Sequence, residues 1–177
     1  MKRFLLPIGF FAVLIPLFVV GLGKDPRALP STYIDKPAPQ FDLPQLRDPS
    51  QRVSNQSFGG QTVLVNFWAT WCGGCRQEHG FLLQLRKNNV IPIYGINWRD
   101  DRTKAIAWLE QLEDPYVVSG FDGGNHTGID WGVYAAPETF LVDGSGTIIY
   151  KFLGPINAHI WQQEFEPRIA AANEAAL

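Results

Sequence analysis

Both cysteines of this 177-residue chain, Cys72 and Cys75, lie directly after a long apolar run. That run, residues 62–69 (TVLVNFWA), is typical of a β-strand that is buried on both faces. Residues 76–88 then carry apolar side chains at spacings that suit a helix. The sequence therefore predicts a buried strand that ends, and a helix that begins, at the cysteine pair.

Two sulfurs at this spacing could hold a metal, cross-link the chain or act as a redox pair. A zinc site needs four ligands, or three if it is catalytic. His79 could share a helix face with the cysteines, but His126 and His159 are distant in sequence and no fourth ligand is evident. A cross-link that closes so short a loop removes little entropy from the unfolded chain. We therefore favour the redox role and predict no metal site.

The redox role has a physical basis in the expected position of the pair. Unpaired N–H groups and the positive dipole end at a helix N-terminus stabilise a thiolate, the reactive form of cysteine. A second sulfur three residues along can resolve a mixed disulfide without large movement. We expect Cys72 to be exposed and to attack, Cys75 to resolve, and Trp71 to shield one side of the attacking sulfur. A C-x-x-C beside a β-α-β pattern is typical of a thioredoxin-like motif.

Glu78 follows the pair at the same helical spacing, so Cys72, Cys75 and Glu78 fall on roughly one helix face. A half-buried carboxylate at this position could exchange a proton with Cys75 as the disulfide opens. The alternative is an ordinary solvated glutamate, and the spacing by itself leaves both interpretations open.

The first 23 residues are predicted to form a membrane anchor. Lys2 and Arg3 precede a stretch, residues 4–22, that is apolar apart from glycines and prolines. A helix of that length spans about 28 Å, close to the bilayer's hydrocarbon thickness of about 30 Å. The two basic residues favour a cytoplasmic N-terminus, which places the rest of the chain outside. The alternatives are a buried core helix and a cleaved signal peptide, whose small-residue cleavage pattern Gly21 and Gly23 fit poorly.

Residues 24–39 contain four prolines and are predicted to be an extended tether. Residues 40–177 then form one domain, since 46% of the chain is apolar, which suits a globular core. The net charge of −2 and the lack of a Lys/Arg-rich run exclude an electrostatic basis for nucleic-acid binding.

The remaining elements alternate in a way that predicts an α/β domain with a mixed central sheet. A short hairpin is expected from residues 40–46 and 52–53, turning at Asp48-Pro49. Further strands are expected at residues 90–97, 116–118, 138–142 and 147–152, helices at 100–113 and 157–175, and a glycine-rich loop at 121–130. Pro167 marks a possible break in the last helix.

Several stretches together resemble a known family. The segment FWATWCGGCRQEH looks like a thioredoxin-fold active site. Residues 96–109 (INWRDDRTKAIAWL), residues 128–148 (GIDWGVYAAPETFLVDGSGTI), the anchor and the KPAPQFDLP start of the domain narrow the likeness. They resemble the CcmG/DsbE family, the thiol:disulfide interchange proteins of cytochrome c maturation, over nearly the whole chain.

The resemblance implies a thioredoxin-like fold with an N-terminal hairpin, a central insertion and a single transmembrane helix. The domain would lie on the periplasmic side of the inner membrane and act as a reductant. Its substrate would be apocytochrome c or a partner thiol protein of the maturation system, and a membrane thiol-reductase would supply electrons. No cofactor is implied beyond a redox-active Cys72–Cys75 disulfide.

The family's site residues can be carried over position by position. Its attacking and buried cysteines fall on Cys72 and Cys75, and its active-site acid falls on Glu78. Its cis-proline falls on Pro137, with Glu138 beside it. By this resemblance the backbone of Ala136 faces the disulfide and pairs with an extended substrate, and Trp71, Ala136, Pro137 and Glu138 border the substrate groove. The alternative for Pro137 is a trans proline that opens a strand.

Two positions depart from the family pattern. Gly73 and Gly74 separate the cysteines where relatives often carry a proline, which leaves the redox potential open. Two glycines cost about 0.8–1 kcal/mol each relative to alanine if both are helical. Ala135 stands where glycine is common, which bears on the groove beside Pro137.

Other aromatic and polar residues are predicted to be structural. Phe67 and Trp68 on the buried strand, and Trp98, Trp108 and Trp161 elsewhere, are expected to pack in the core. Asp100-Asp101 is expected to start a helix, and His126 and His159 to lie at the surface.

Other functions fit the same cysteine pair. A broader periplasmic thiol reductase, or one that serves copper-site assembly, would use the same chemistry on other substrates. A chaperone could instead hold Cu(I) between the two sulfurs. Against the chaperone, the chain has no clear third soft ligand, since its only methionine is Met1.

Overall fold

The computed structural model describes residues 10–12, 14–16, 18 and 33–175. The chain divides into two units, residues 1–30 and 31–177. In the first unit the described residues are helical and mostly exposed. Among the described residues, no helix has the length and apolar character needed to cross a bilayer. Most of the predicted anchor, residues 1–23, lies outside the described residues.

The second unit is built on a six-stranded mixed sheet. Its strands are β1 (Lys36–Pro37), β4 (Val63–Trp68), β5 (Ile93–Trp98), β6 (Val118–Asp122), β7 (Glu138–Val142) and β8 (Thr147–Leu153). They lie in the order β1-β8-β7-β4-β5-β6. The strand β4 is parallel to β5 and antiparallel to β7, so it lies at the centre of the sheet. All six of its residues are buried, as its continuous apolar sequence predicts.

One face of the sheet is covered by helices. They are α1 (Gly73–Lys87), α2 (Arg102–Leu112) and a C-terminal helical segment of α4 (Ala158–Ile160), a π-helical turn (Trp161–Phe165) and α5 (Glu166–Ala175). Leu82, Trp108 and Phe165 from these helices pack with Leu64 and Trp68 of β4. Trp68 stacks on Trp108 with ring centroids 5.1 Å apart.

The other face is covered by a hairpin and short helical turns. The hairpin consists of β2 (Asp42–Pro44) and β3 (Arg52–Ser54), and a 3₁₀ turn (Asn55–Phe58) follows it. Phe58 of the turn packs with Phe67 and Phe140 of the sheet, and Trp131 completes this second core. The expected N-terminal hairpin, the mixed central sheet and the core positions of the aromatic residues are therefore confirmed.

Residues 121–130 are not the predicted glycine-rich loop. The strand β6 extends to Asp122, and a short helix α3 (His126–Asp130) follows. The carboxylate of Asp122 accepts hydrogen bonds from the backbone N–H groups of His126 and Gly128, at 2.9 and 2.8 Å. These bonds stabilise the first turn of the helix. The glycine content of the segment predicts a loop and gives no sign of them.

The end of the predicted tether belongs to the folded unit. Strand β1 pairs with β8, and Ala38 is only 3% exposed. The short edge strand accounts for this difference, because two residues carry no periodic signal.

The closing helix is not broken at Pro167. Instead, a π-helical turn ends at Phe165, two residues before the proline, and the widened turn suits a residue that has no N–H to donate.

Candidate active site

The cysteine pair lies where β4 is followed by α1. The helix begins at Gly73 with Cys72 as its N-cap, and the Cys75 backbone N–H donates to Cys72 Sγ at 3.0 Å. The two sulfurs form a disulfide with an S–S distance of 2.10 Å. Cys72 is 5% exposed and Cys75 is 2% exposed. The prediction that Cys72 is exposed is therefore wrong for the disulfide form, although Cys72 remains the more accessible of the two.

Asp100 is hydrogen-bonded to the loop that precedes the cysteine pair. Asp100 accepts hydrogen bonds from the backbone N–H and the hydroxyl of Thr70, at 2.6 and 2.7 Å, and from Asn97 Nδ2 at 2.9 Å. Its neighbour Asp101 caps α2 by accepting from the Lys104 N–H. The prediction of a helix start is confirmed for Asp101, whereas Asp100 serves the active-site loop.

Trp71 forms the exposed wall beside the disulfide. Its side chain is 57% exposed, its Nε1 donates to the Arg99 carbonyl at 3.0 Å, and its ring lies 5.8 Å from that of Trp98. An aromatic side chain held in this way presents a fixed apolar surface next to Cys72.

Pro137 packs against the start of α1. The Ala136-Pro137 peptide bond is cis, as the family resemblance implies. A β-carbon added at Gly74 would lie 2.8 Å from Pro137 Cδ, so the two backbones approach closely. Ala136 is partly buried beside Pro137, which lies against Gly74 between the two cysteines, and the role of this segment in a substrate groove stays a prediction.

Glu138 follows this proline, but its side chain does not reach the groove. It is fully buried and forms an ion pair with Lys151, which also donates to the Gly132 carbonyl at 2.9 Å. Burial raises the pKa of Glu138, and the hydrogen bond and charge of Lys151 oppose that rise. The prediction that Glu138 lines a groove is wrong for its side chain, because alternation along β7 turns it into the sheet's second core.

Glu78 lies one helical turn beyond Cys75 and is 1% exposed. Its Oε1 accepts from Asn66 Nδ2, and its Oε2 accepts from the Ile156 backbone N–H, both at 2.9 Å. Burial raises the pKa of Glu78 to about 7, while these two hydrogen bonds limit the rise. The solvated alternative is therefore excluded, and the carboxyl titrates where a proton acceptor at neutral pH should.

Asn66, which is bonded to Glu78, and Tyr116, which is bonded to Asn66, were not among the predicted site residues. Asn66 lies in the middle of β4 and contacts both Glu78 and Tyr116. The available signal was a single asparagine in an otherwise apolar strand, since a buried amide needs polar partners.

His79 lies away from the pair's chemistry. Its Nε2 is 3.0 Å from the carbonyl oxygens of both Leu112 and Glu113, at the C-terminal end of α2. Among the described residues, no three His, Cys, Asp or Glu side chains are grouped so as to hold a metal ion.

Known proteins are similar in sequence to this chain across the whole domain. The Redoxin family matches residues 34–167. The thiol:disulfide interchange protein DsbE of Allochromatium vinosum is 48% identical over 169 residues, covering 96% of this chain and 93% of that protein. DsbE of Pseudomonas aeruginosa is 44% identical, covering 94% and 93%, and DsbE of Escherichia coli K12 is 43% identical, covering 94% and 92%.

Solved structures agree in fold. A Chlorobium tepidum protein described as a thiol:disulfide interchange protein DsbE superposes with a TM-score of 0.69 at 27% identity, covering 80% of this chain and 99% of that one. A DsbF homologue from Corynebacterium diphtheriae superposes with a TM-score of 0.66 at 22% identity, covering 80% and 92%, which supports the fold alone. With its relatives at 43–48% identity, the chain belongs to the DsbE family of thiol:disulfide interchange proteins.

Proposed function

We propose that this protein is a membrane-anchored periplasmic reductant for cytochrome c maturation, which passes electrons from the Cys72–Cys75 dithiol to apocytochrome c or a partner thiol protein. Family membership supports the coarser activity, thiol:disulfide oxidoreductase. The observation that carries the proposal is the disulfide at the N-terminus of α1, with a buried acid of raised pKa one turn below it.

The reaction begins with the reduced pair. The Cys72 thiolate, favoured by its place at the helix N-cap, attacks one sulfur of a substrate disulfide. A mixed disulfide forms, and the other substrate sulfur leaves as a thiolate that takes up a proton. Cys75 then attacks Cys72 Sγ, which releases the second substrate sulfur. Two electrons leave the protein dithiol, and the substrate disulfide becomes two thiols.

Glu78 has a defined part in the second step. Cys75 is buried, so its thiol must lose a proton inside the protein before it can attack. Ionised Glu78 accepts this proton because burial raises its pKa to about 7, while the two donors that contact it keep the carboxylate form available at neutral pH. The proton returns when the protein is reduced again.

The substrate would lie across Trp71 and the Ala136-Pro137 segment. The exposed indole of Trp71 offers apolar contact, and the backbone of Ala136 offers hydrogen bonds to an extended peptide. Electrons would arrive from a membrane thiol-reductase, which suits a domain held at the inner membrane by residues 1–23.

A trapping experiment tests the substrate. In the full-length Cys75→Ala variant, a mixed disulfide on Cys72 persists because nothing resolves it. We expect trapped apocytochrome c or a maturation thiol protein, and Cys72→Ser should trap nothing while remaining folded. Trapping of unrelated periplasmic proteins would instead indicate a broader reductase. Full exchange activity in Cys72→Ser would overturn the mechanism.

A further inference from the structure

Asn66 contacts the buried carboxyl of Glu78 from the sheet side and is itself bonded to two further polar side chains, Thr139 and Tyr116. Asn66 of β4 donates from Nδ2 to Glu78 Oε1 and to Thr139 Oγ1, each at 2.9 Å. The Tyr116 hydroxyl donates to Asn66 Oδ1 at 2.8 Å. Asn66 and Thr139 are fully buried and Tyr116 is 5% exposed, so none of these groups can exchange a partner with bulk water.

The direction of these hydrogen bonds favours the ionised form of Glu78 over the protonated form. An amide N–H that donates to Oε1 stabilises the carboxylate. Once Glu78 takes a proton from Cys75, as the proposed function requires, Oε1 can itself become a donor. A fixed amide would then present a donor to a donor, which is costly in a buried site.

The other partners of the amide can all reverse their roles. The hydroxyls of Thr139 and Tyr116 are both donors and acceptors. Rotation of the Asn66 amide by about 180° exchanges its oxygen and nitrogen with little change in shape. The amide oxygen then accepts from protonated Glu78 and from Thr139, and the amide nitrogen donates to the Tyr116 oxygen. Asn66 thus keeps a hydrogen bond to each of its three partners in either state.

We propose that Asn66, with Thr139 and Tyr116, is a positioning residue whose amide reverses as Glu78 gains and loses its proton. This inference rests on the proposed role of Glu78. It adds a rearrangement that lowers the free-energy cost of protonating this buried carboxyl group. It gives a reason for an asparagine in the central strand, where an apolar side chain would otherwise be favoured.

Few other groups could imitate the titration of Glu78. Cys72 and Cys75 do not titrate while they form the disulfide. Burial raises the pKa of Tyr116 well above its usual value, and the charges of Glu78 and Asp114 add to the rise. Glu138 is the first residue of β7 and precedes Thr139, but its side chain points to the opposite face, where Lys151 pairs with it. In the oxidised protein, the protonation of Glu78 can therefore be followed without interference from these neighbouring groups.

The test is a carbon-13 NMR titration of the Glu78 carboxyl in the oxidised full-length protein in detergent, with the signal assigned through Glu78→Gln. In Thr139→Val, the carboxylate form newly leaves one amide N–H unpaired, whereas the protonated form with a reversed amide loses only one of the two hydrogen bonds to its amide oxygen. We expect the Glu78 midpoint to rise by an amount equal to about tenfold in the protonation equilibrium. Thr139→Ser should restore the original midpoint.

Tyr116→Phe is the matched control, because it removes one hydrogen bond of Asn66 in both states. Its midpoint should change less than about twofold in the same equilibrium. A fixed amide predicts no shift in Thr139→Val, since both states would then lose the same bond. An unchanged midpoint in Thr139→Val, or equal shifts in the two variants, would overturn the proposal. Because the titration needs no substrate, failure of the proposed function would leave this result standing.

Discussion

Gly74 lies so close to Pro137 that a β-carbon at residue 74 would be 2.8 Å from the proline Cδ, whereas a β-carbon at Gly73 would meet nothing within 4 Å. The two glycines between the cysteines are therefore not equivalent. Gly73 faces open space, and Gly74 fixes how closely the cis-proline segment approaches the helix start.

Alanine substitutions should separate these two glycines. Gly73→Ala should stabilise the protein by up to about 1 kcal/mol, since alanine has the higher helix propensity. Gly74→Ala should gain less or lose stability, because the Pro137 ring must move. Denaturant unfolding and the rate of disulfide exchange check both variants. Equal gains in stability would show that the Gly74 contact is not limiting.

Replacing Asp100 should loosen the active-site loop. Asp100→Ala leaves the Thr70 N–H and Asn97 Nδ2 without their carboxylate, at a cost of about 1.5–3 kcal/mol. The exchange rate should fall with it. Asp101→Ala removes a helix cap worth about 1 kcal/mol and is the control for stability loss alone. A normal rate in Asp100→Ala would contradict the role in the loop.

The pKa of Glu78 predicts a pH dependence of stability. It is raised from 4.5 to about 7 in the folded protein, so the folded state holds a proton that the unfolded state has lost. The contribution of Glu78 to the free energy of unfolding is fully present below pH 4.5. It is lost as pH rises to about 7, which lowers the free energy of unfolding by on the order of 3 kcal/mol. Comparison of the oxidised protein with Glu78→Gln at both pH limits measures this loss, which the glutamine should abolish.

The same ionisation should control catalysis. Since the carboxylate form accepts the Cys75 proton, release of substrate from the mixed disulfide should speed up as pH rises through about 7. Stopped-flow kinetics of Glu78→Gln should show a slower release without that rise. An unchanged pH profile in Glu78→Gln would rule out the proton role.

Lys151 should contribute to the stability of the folded protein, because it pairs with the buried carboxylate of Glu138. Lys151→Met leaves a buried carboxylate unpaired, which costs about 3–5 kcal/mol. Adding Glu138→Gln should recover part of this loss, and a thermodynamic cycle of the four proteins gives the coupling. Independent effects of the two substitutions would show that the ion pair contributes little.

The reductant role predicts a low reduction potential. Equilibration with graded thiol buffers, followed through the fluorescence of Trp71 beside the disulfide, should give a value near or below about −200 mV. A value near about −120 mV would describe an oxidant and would contradict the proposed function.

Much of this architecture follows from local patterns in the sequence. The apolar run of β4 and the helical spacing after it place the disulfide, and the spacing from Cys75 places Glu78. The partners of Asn66 could not be found this way, because Thr139 and Tyr116 come from distant parts of the chain. The same holds for Lys151, whose ion pair with Glu138 depends on the register of β7 and β8.

The helical character of residues 126–130 also escaped the local pattern. It depends on one carboxylate, that of Asp122, which reaches forward to the backbone of His126 and Gly128. Such a contact stabilises a helix despite the nearby glycines, but it produces no periodic pattern of apolar residues in the sequence.

Both edges of the central sheet are protected. The strand β1 is two residues long and includes Pro37, and β6 is bordered by the hairpin through the Gln45–Gly120 bridge and the hydrogen bond from Leu46 N–H to the Ser119 carbonyl. Open edges recruit unfolded chains into growing aggregates. Under the proposed function the protein meets unfolded substrate chains, and the protected edges then offer those chains no strand on which to add.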